Sequence, residues 1–348
     1  MRFMGFGLRL TGGHCTQAER RAATAPRSRL RLAGIIAAVA AACLACVQPV
    51  WARAYRIGIL NDAWAPNHPT VEGLKTGLRH LGLIEGRDVT FEIRFTEGRR
   101  EGLPAAAKAL VGNGADLIFT SNEAATLAAK GASTTTPIVF TLVGDPVASG
   151  ILERLARPGR NITGVYDASA RLTAKRIELL RMMQPDLRRV WFLQRSGDPG
   201  ASAALQAAQQ AAQALKLQLI SRPFASNDQI AAILKDARKG DALLASHNDE
   251  ADACAQILQA SAKYRIPAIF PAGQWVASGG MVSYGPSLYG TGQQAARMVT
   301  KVLRGALPAD LPVETADDFE LEINLGTARL LGVTVPRELL FRANVFRQ

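Results

Sequence analysis

The chain is short of cysteine, histidine and aromatic residues, and each shortage removes a class of function. Its four cysteines are Cys15, Cys43, Cys46 and Cys254, three of them within the first 54 residues. The remainder has a single thiol, so it cannot close an internal disulfide and must rest on its apolar cores. Beyond residue 54 the histidines are His68, His80 and His247. They and Cys254 show no metal-ligand spacing, which leaves metal-dependent chemistry without support. Serine-hydrolase elbows, a Walker-type phosphate loop and a dinucleotide-binding glycine loop after the first strand are missing too. With no pairing of nucleophile and base, the chain is read as a non-enzyme that needs no cofactor. Aromatic residues make up only 6%, so an aromatic in a loop, such as Trp64 or Trp275, stands out.

An excess of positive charge is present only at first sight. The formal net charge is +12, yet residues 1–54 hold eight arginines against one glutamate and no lysine. Without them, 33 basic side chains face 28 acidic ones. Those that remain are scattered, with no basic run interleaved with aromatics, so nucleic acid is not an expected partner.

Long apolar runs are absent with one exception. Arg27, Arg29 and Arg31 precede an uncharged stretch from Leu32 to Val47, followed by Gln48-Pro49 and Ala52-Arg53-Ala54. Its length of about 16 residues falls short of the roughly 20 needed to span hydrocarbon. A basic segment, an apolar segment and an A-x-A site form the order of a cleaved secretory signal. Residues 1–54 are accordingly read as an N-terminal extension and signal peptide, cut after Ala54 to release a periplasmic protein. Cys43 and Cys46 lack a Leu-Ala-Gly type box before them, and a lipid anchor is not expected.

Beyond residue 54 the pattern is regular. Apolar runs at 56–60, 89–95, 117–120, 137–141 and 162–166 alternate with helical patterns, and a second set lies at 190–194, 217–224, 242–246, 268–271 and 281–284. Short strands alternating with helices imply βαβ units and parallel sheets. Two sets of five imply two doubly wound, Rossmann-like α/β lobes, with a join near Ala168–Thr173. Ser226 with Gln229 fits a capping box for a helix over 228–239, and Gly240 fits its stop.

Ligands of such sheets bind at the strand ends that open into helices. In the first lobe these ends offer Asn61 and Trp64, then Thr120-Ser121-Asn122, Gly144-Asp145 and Tyr166. In the second they offer Arg195, Asn248-Asp249 and Gln274-Trp275. Hydroxyls and free N–H groups at a helix start suit a carboxylate, and Arg195 could hold one with two parallel bonds. Asp145 or Asp249 could take an ammonium, while Tyr166, Trp64 and Trp275 could stack on a ring. Each also has a plainer role as cap, turn or core residue. The acidic run Glu314, Asp317, Asp318 and Glu320 is most simply a solvated surface segment.

Four passages carry a resemblance. They are Gly73-Leu74-Lys75-Thr76-Gly77-Leu78 through Gly86-Arg87-Asp88-Val89; Gly144-Asp145-Pro146-Val147 through Leu155-Ala156-Arg157-Pro158-Gly159-Arg160-Asn161; Gly279-Gly280-Met281-Val282-Ser283-Tyr284-Gly285; and Leu311-Pro312-Val313-Glu314 through Phe319–Leu325. In that order they resemble the ABC-transporter substrate-binding proteins of the tryptophan/tyrosine-binding type. The resemblance implies a type I periplasmic binding protein fold, with residues 55–166 and 285–310 in lobe one and 167–284 and 311–348 in lobe two. It also implies a monomer that captures a small amino-acid-like or carboxylate solute and presents it to an ABC permease in the inner membrane. A periplasmic sensor that signals to a membrane receptor or kinase is the alternative. The loops Asn61–Pro69, His247-Asn248-Asp249 and Ala272–Trp275 depart from the family pattern, so the family's aromatic ligand does not carry over with the fold.

Overall fold

Apolar runs of four to seven residues bounded by helix starts dictate buried parallel strands, and the protein builds two sheets from them. The structure is a computed structural model that describes residues 53–63, 67–196, 201–245, 251–343 and 345–347. The strands β1 to β5 span Tyr55–Asn61, Val89–Phe95, Leu117–Thr120, Ile138–Val143 and Ile162–Tyr166. Next come β6 to β10, at Arg189–Arg195, Gln218–Phe224, Asp241–Leu244, Ala268–Phe270 and Val282–Pro286. Three further strands complete the set, β11 at Glu314–Thr315, β12 at Phe319–Asn324 and β13 at Val345–Arg347. The helices α1 to α4 are Pro69–His80, Leu103–Gly112, Glu123–Ala132 and Ser169–Met183. Helices α5 to α8 are Ala201–Ala214, Gln229–Leu234, Ala251–Tyr264 and Gly273–Ala277; α9 to α11 are Leu288–Leu303, Leu325–Leu330 and Arg337–Arg342.

The first sheet has the order β11-β5-β4-β3-β1-β2 and is parallel throughout. The second has the order β13-β12-β10-β9-β8-β6-β7, and only the β10–β12 pair is antiparallel. Alternation along each strand feeds two cores per lobe. Ile57 and Ile59 of β1 meet Val71, Leu74 and Leu78 of α1 and Ala295, Ala296 and Val299 of α9. Leu60, pointing the other way, joins Leu103, Ala107 and Leu110 of α2. In lobe two, Val190 and Phe192 face α4 and α5, while Trp191 and Leu193 face α6 and α7.

The fold departs from the sequence expectation in three places. Strand β11 pairs with β5 (Glu314 opposite Val165), so residues 311–315 stay with lobe one. The third crossing falls between Ala316 and Phe319, not at residue 311. The helix expected over 228–239 stops at Leu234. Beyond it the chain unwinds so that the Arg238 N–H can donate to the Asp241 carboxylate at 2.9 Å. That buried carboxylate also takes Arg189 at 2.8 and 2.6 Å and Trp191 Nε1 at 2.8 Å. Ser226 forms no capping box; the Gln229 side chain instead reaches back to the Ala225 N–H at 2.9 Å.

Candidate ligand-binding site

The strand order places the loops after β1, β3 and β4 along one rim of lobe one, and those after β6, β8 and β9 along a rim of lobe two. On the first rim Thr120, Asn122 and Asp145 engage neighbouring protein groups. Thr120 is fully buried, and its hydroxyl lies 2.7 Å from that of Thr126, which donates to the Asn122 carbonyl at 2.6 Å. It fixes the first turn of α3 and does not face a cleft. Asn122 caps α3 through the Ala125 N–H at 2.8 Å, and its Nδ2 donates to Asp62 Oδ1. Asp145 takes the Val147 and Ala148 N–H groups at 3.0 Å each, capping the turn beyond Pro146.

Three groups on this rim keep a different standing. Ser121 is buried at 4% exposure, directly ahead of α3. Asn61 Oδ1 accepts from Ala63 N–H at 3.1 Å, whereas its Nδ2 is buried with no hydrogen-bond partner among the described residues. Gly144 follows a bulge in β4, where Leu142 adopts φ of +55° and the register against β5 shifts. Bulges of this kind re-aim the chain at a strand end. Tyr166 closes β5, its carbonyl taking the Ala316 N–H at 2.8 Å and its ring packing on the lobe-one core, which is a crossover role.

On the second rim, Arg195 leans outward toward the edge strand β7. Its Nη2 donates to Asn227 Oδ1 at 2.7 Å and its guanidinium lies 5.1 Å from the Phe224 ring centroid. Trp275 turns into the core, with its ring 6.4 Å from that of Phe270. A large apolar side chain does find burial here, but under the sheet. Trp64, Asn248 and Asp249 lie outside the described residues, as do residues 1–52 of the segment 1–54 read as extension and signal peptide.

Among the described residues, Gln274 is the one expected residue that lines a pocket between the lobes, which has a volume of about 230 Å³. Lobe one contributes Pro69 at the start of α1 and Leu288 and Tyr289 at the start of α9. Lobe two contributes Ala272, Gly273, Gln274 and Ala277 together with Glu320 and Glu322 of β12, and the crossing chain adds Gly285 and Pro286. Glu320 and Glu322 stand two apart on β12, so the pleat puts both on one face while Leu321 and Ile323 enter the core. Glu322 is 8% exposed. Its carboxylate fits only because residue 273 is glycine, where a Cβ would fall 1.8 Å from Oε1. Both charged lining residues are acidic, and such a wall favours a cation or ammonium.

Sequence reasoning missed this pair by treating the acidic run as a solvated segment. Glu314 in fact meets Arg297 at 3.1 Å and Gln294 Nε2 at 3.0 Å, and Asp317 meets Arg297 at 3.6 Å. The run is thereby stitched to α9. The signal that could have found the pair is the period-two pattern Phe319-Glu320-Leu321-Glu322-Ile323, which marks a strand with a charged face.

The sequence profile of ABC transporter substrate binding proteins matches residues 66–346. The chain belongs to that family. A tyrosine-binding protein of Clostridioides difficile (strain R20291) is 23% identical over 270 residues, covering 76% of this chain and 78% of the relative. Among solved structures, a conserved domain protein from Vibrio cholerae is 25% identical with a TM-score of 0.75, covering 85% of this chain and all of its own. An ABC domain from Streptococcus pneumonia in complex with L-Trp is 24% identical with a TM-score of 0.76, covering 84% of this chain and 99% of its own. The fold of this substrate-binding protein is that of the type I periplasmic binding proteins, with two α/β lobes. Among the described residues no His, Cys, Asp and Glu group could hold a metal ion, and no helix is long and apolar enough to cross a membrane.

Proposed function

We propose that this substrate-binding protein works outside the inner membrane, captures an α-amino acid with an apolar or aromatic side chain between its lobes, and hands it to an ABC importer. The interlobe pocket with its glutamate wall is the observation that carries the reading. Glu320 and Glu322 put negative charge on the pocket wall, which suits an ammonium, while Pro69, Pro286, Leu288 and Tyr289 offer an apolar wall to a side chain. A volume near 230 Å³ is below the roughly 300–1,000 Å³ typical of drug-sized ligands, in keeping with a solute of amino-acid size. The tyrosine-binding relative and the L-Trp complex support the same class. Hinge closure over the solute would form the surface that a permease reads. Export is inferred from the signal-like segment ahead of Tyr55, and N-terminal sequencing of the periplasmic protein should begin there.

Calorimetric titration with L-tyrosine, L-tryptophan and their deaminated analogues tests the ligand class. Binding of an amino acid, with the deaminated analogue at least tenfold weaker, is expected. In the same assay Glu322→Gln should weaken the amino acid by about 1.5–3 kcal/mol, the usual worth of a hydrogen bond to a charged group. Tighter binding of the deaminated acids would remove the ammonium from the reading.

A further inference from the structure

Arg176 is the largest fully buried side chain of the protein's described residues, and neither the pocket nor the rims use it. It lies in α4, directly after the first crossing. Its Nε donates to the Tyr284 carbonyl at 2.7 Å, in the middle of β10, two residues before that strand ends and the chain leaves for the second crossing. Its charge faces Asp167, itself 1% exposed, in the first crossing; the Asp167 N–H is held by the Val143 carbonyl of lobe one at 3.1 Å. The third crossing reaches the same point, because the Phe319 ring stacks on that of Tyr284 at 6.2 Å and 27°. One guanidinium and one tyrosine thus knit all three strands that join the lobes.

A buried charge is costly unless its donors are matched. Here Nη2 is buried and has no hydrogen-bond partner among the described residues. Such an orphan donor calls for an explanation. Its cost is of the size that separates two hinge states, so a rotation that brings an acceptor to Nη2 would favour that state. The geometry assigns Arg176 as the positioning residue of the hinge, the group that sets the balance between open and closed lobes.

The assignment rests on the binding reading, but its test does not need a ligand. Spin labels on the exposed Lys108 of lobe one and Gln209 of lobe two, in a background with the native cysteines replaced by serine, report lobe separation. Arg176→Met is expected to shift or broaden the distance distribution of the ligand-free protein, with Arg176→Lys restoring part of it. In a protein that binds L-tyrosine or L-tryptophan, Arg176→Met should also change the dissociation constant by roughly tenfold, or 1.4 kcal/mol. An unchanged distribution with only a lower melting temperature overturns the assignment and makes Arg176 a core residue. Should Arg176→Met fail to fold, the distribution of Arg176→Lys decides on the same terms. Failure of both amino acids to bind the parent protein would count against the ligand reading, while the ligand-free distances would still judge the hinge.

Discussion

At the scale of single residues, two polar groups make stability claims, His68 at a helix start and the buried Asp241. His68 Nδ1 accepts the Thr70 N–H at 3.3 Å and so caps α1 at the lip of the pocket. Burial lowers the imidazole pKa from 6.5, against an opposing pull from Asp62. The folded state therefore holds the neutral ring, and the unfolded chain takes up the proton first as pH falls. Stability is complete above about pH 6.5 and is lost as pH drops below it toward the depressed folded value. Urea midpoints at about pH 7.5 and pH 5 should fall for the parent and fall less for His68→Asn, which keeps a cap without a titrating group. Equal falls would exonerate His68. Asp241, at 2% exposure, satisfies Arg189, Trp191 Nε1 and the Arg238 N–H together. Asp241→Ala should cost about 3 kcal/mol in urea unfolding, since it orphans several buried donors; a loss under about 1 kcal/mol would show that water replaces it.

Between elements, α1 packs backbone to backbone on α9. A Cβ at Gly73 would fall 2.0 Å from the Tyr289 carbonyl, and one at Gly292 would fall 2.1 Å from that of Thr70. Backbones this close leave no room for a methyl group, so Gly73→Ala should force the helices apart at about 1–3 kcal/mol. Because Tyr289 lines the pocket, the same change should weaken ligand binding. Gly112→Ala, where an added Cβ meets nothing within 4 Å, is the control and should be neutral or stabilising by thermal unfolding. Losses of equal size at both positions would contradict the close-packing account. Strands β1 to β10 were legible because buried runs such as Ile57–Leu60 and Leu117–Thr120 need only local pattern and turn signals, whereas β11 to β13 were not read as strands. The site was not. Whether Trp275 enters the pocket or packs against Phe270 is decided by how the loop between them turns, and whether Asn122 meets a ligand or Asp62 is decided by a partner far away in sequence. The glutamates of β12 were hidden for a related reason, since a charged strand beside the hinge reads locally like a surface loop.

Over the whole molecule, three crossings join two lobes around a pocket whose walls come from both. A solute held there touches α1 and α9 on one side and β12 with α8 on the other, so its binding energy acts directly on the angle between the lobes. Closure should result from binding and not merely accompany it. The most direct test is small-angle X-ray scattering of ligand-stripped protein, alone and with a saturating panel of amino acids including L-tyrosine and L-tryptophan. A radius of gyration that falls with at least one amine-bearing amino acid, and not with its deaminated analogue, is the expected result. A radius that no amine-bearing amino acid changes, or one that only deaminated acids reduce, would contradict capture of an ammonium-bearing solute between closing lobes.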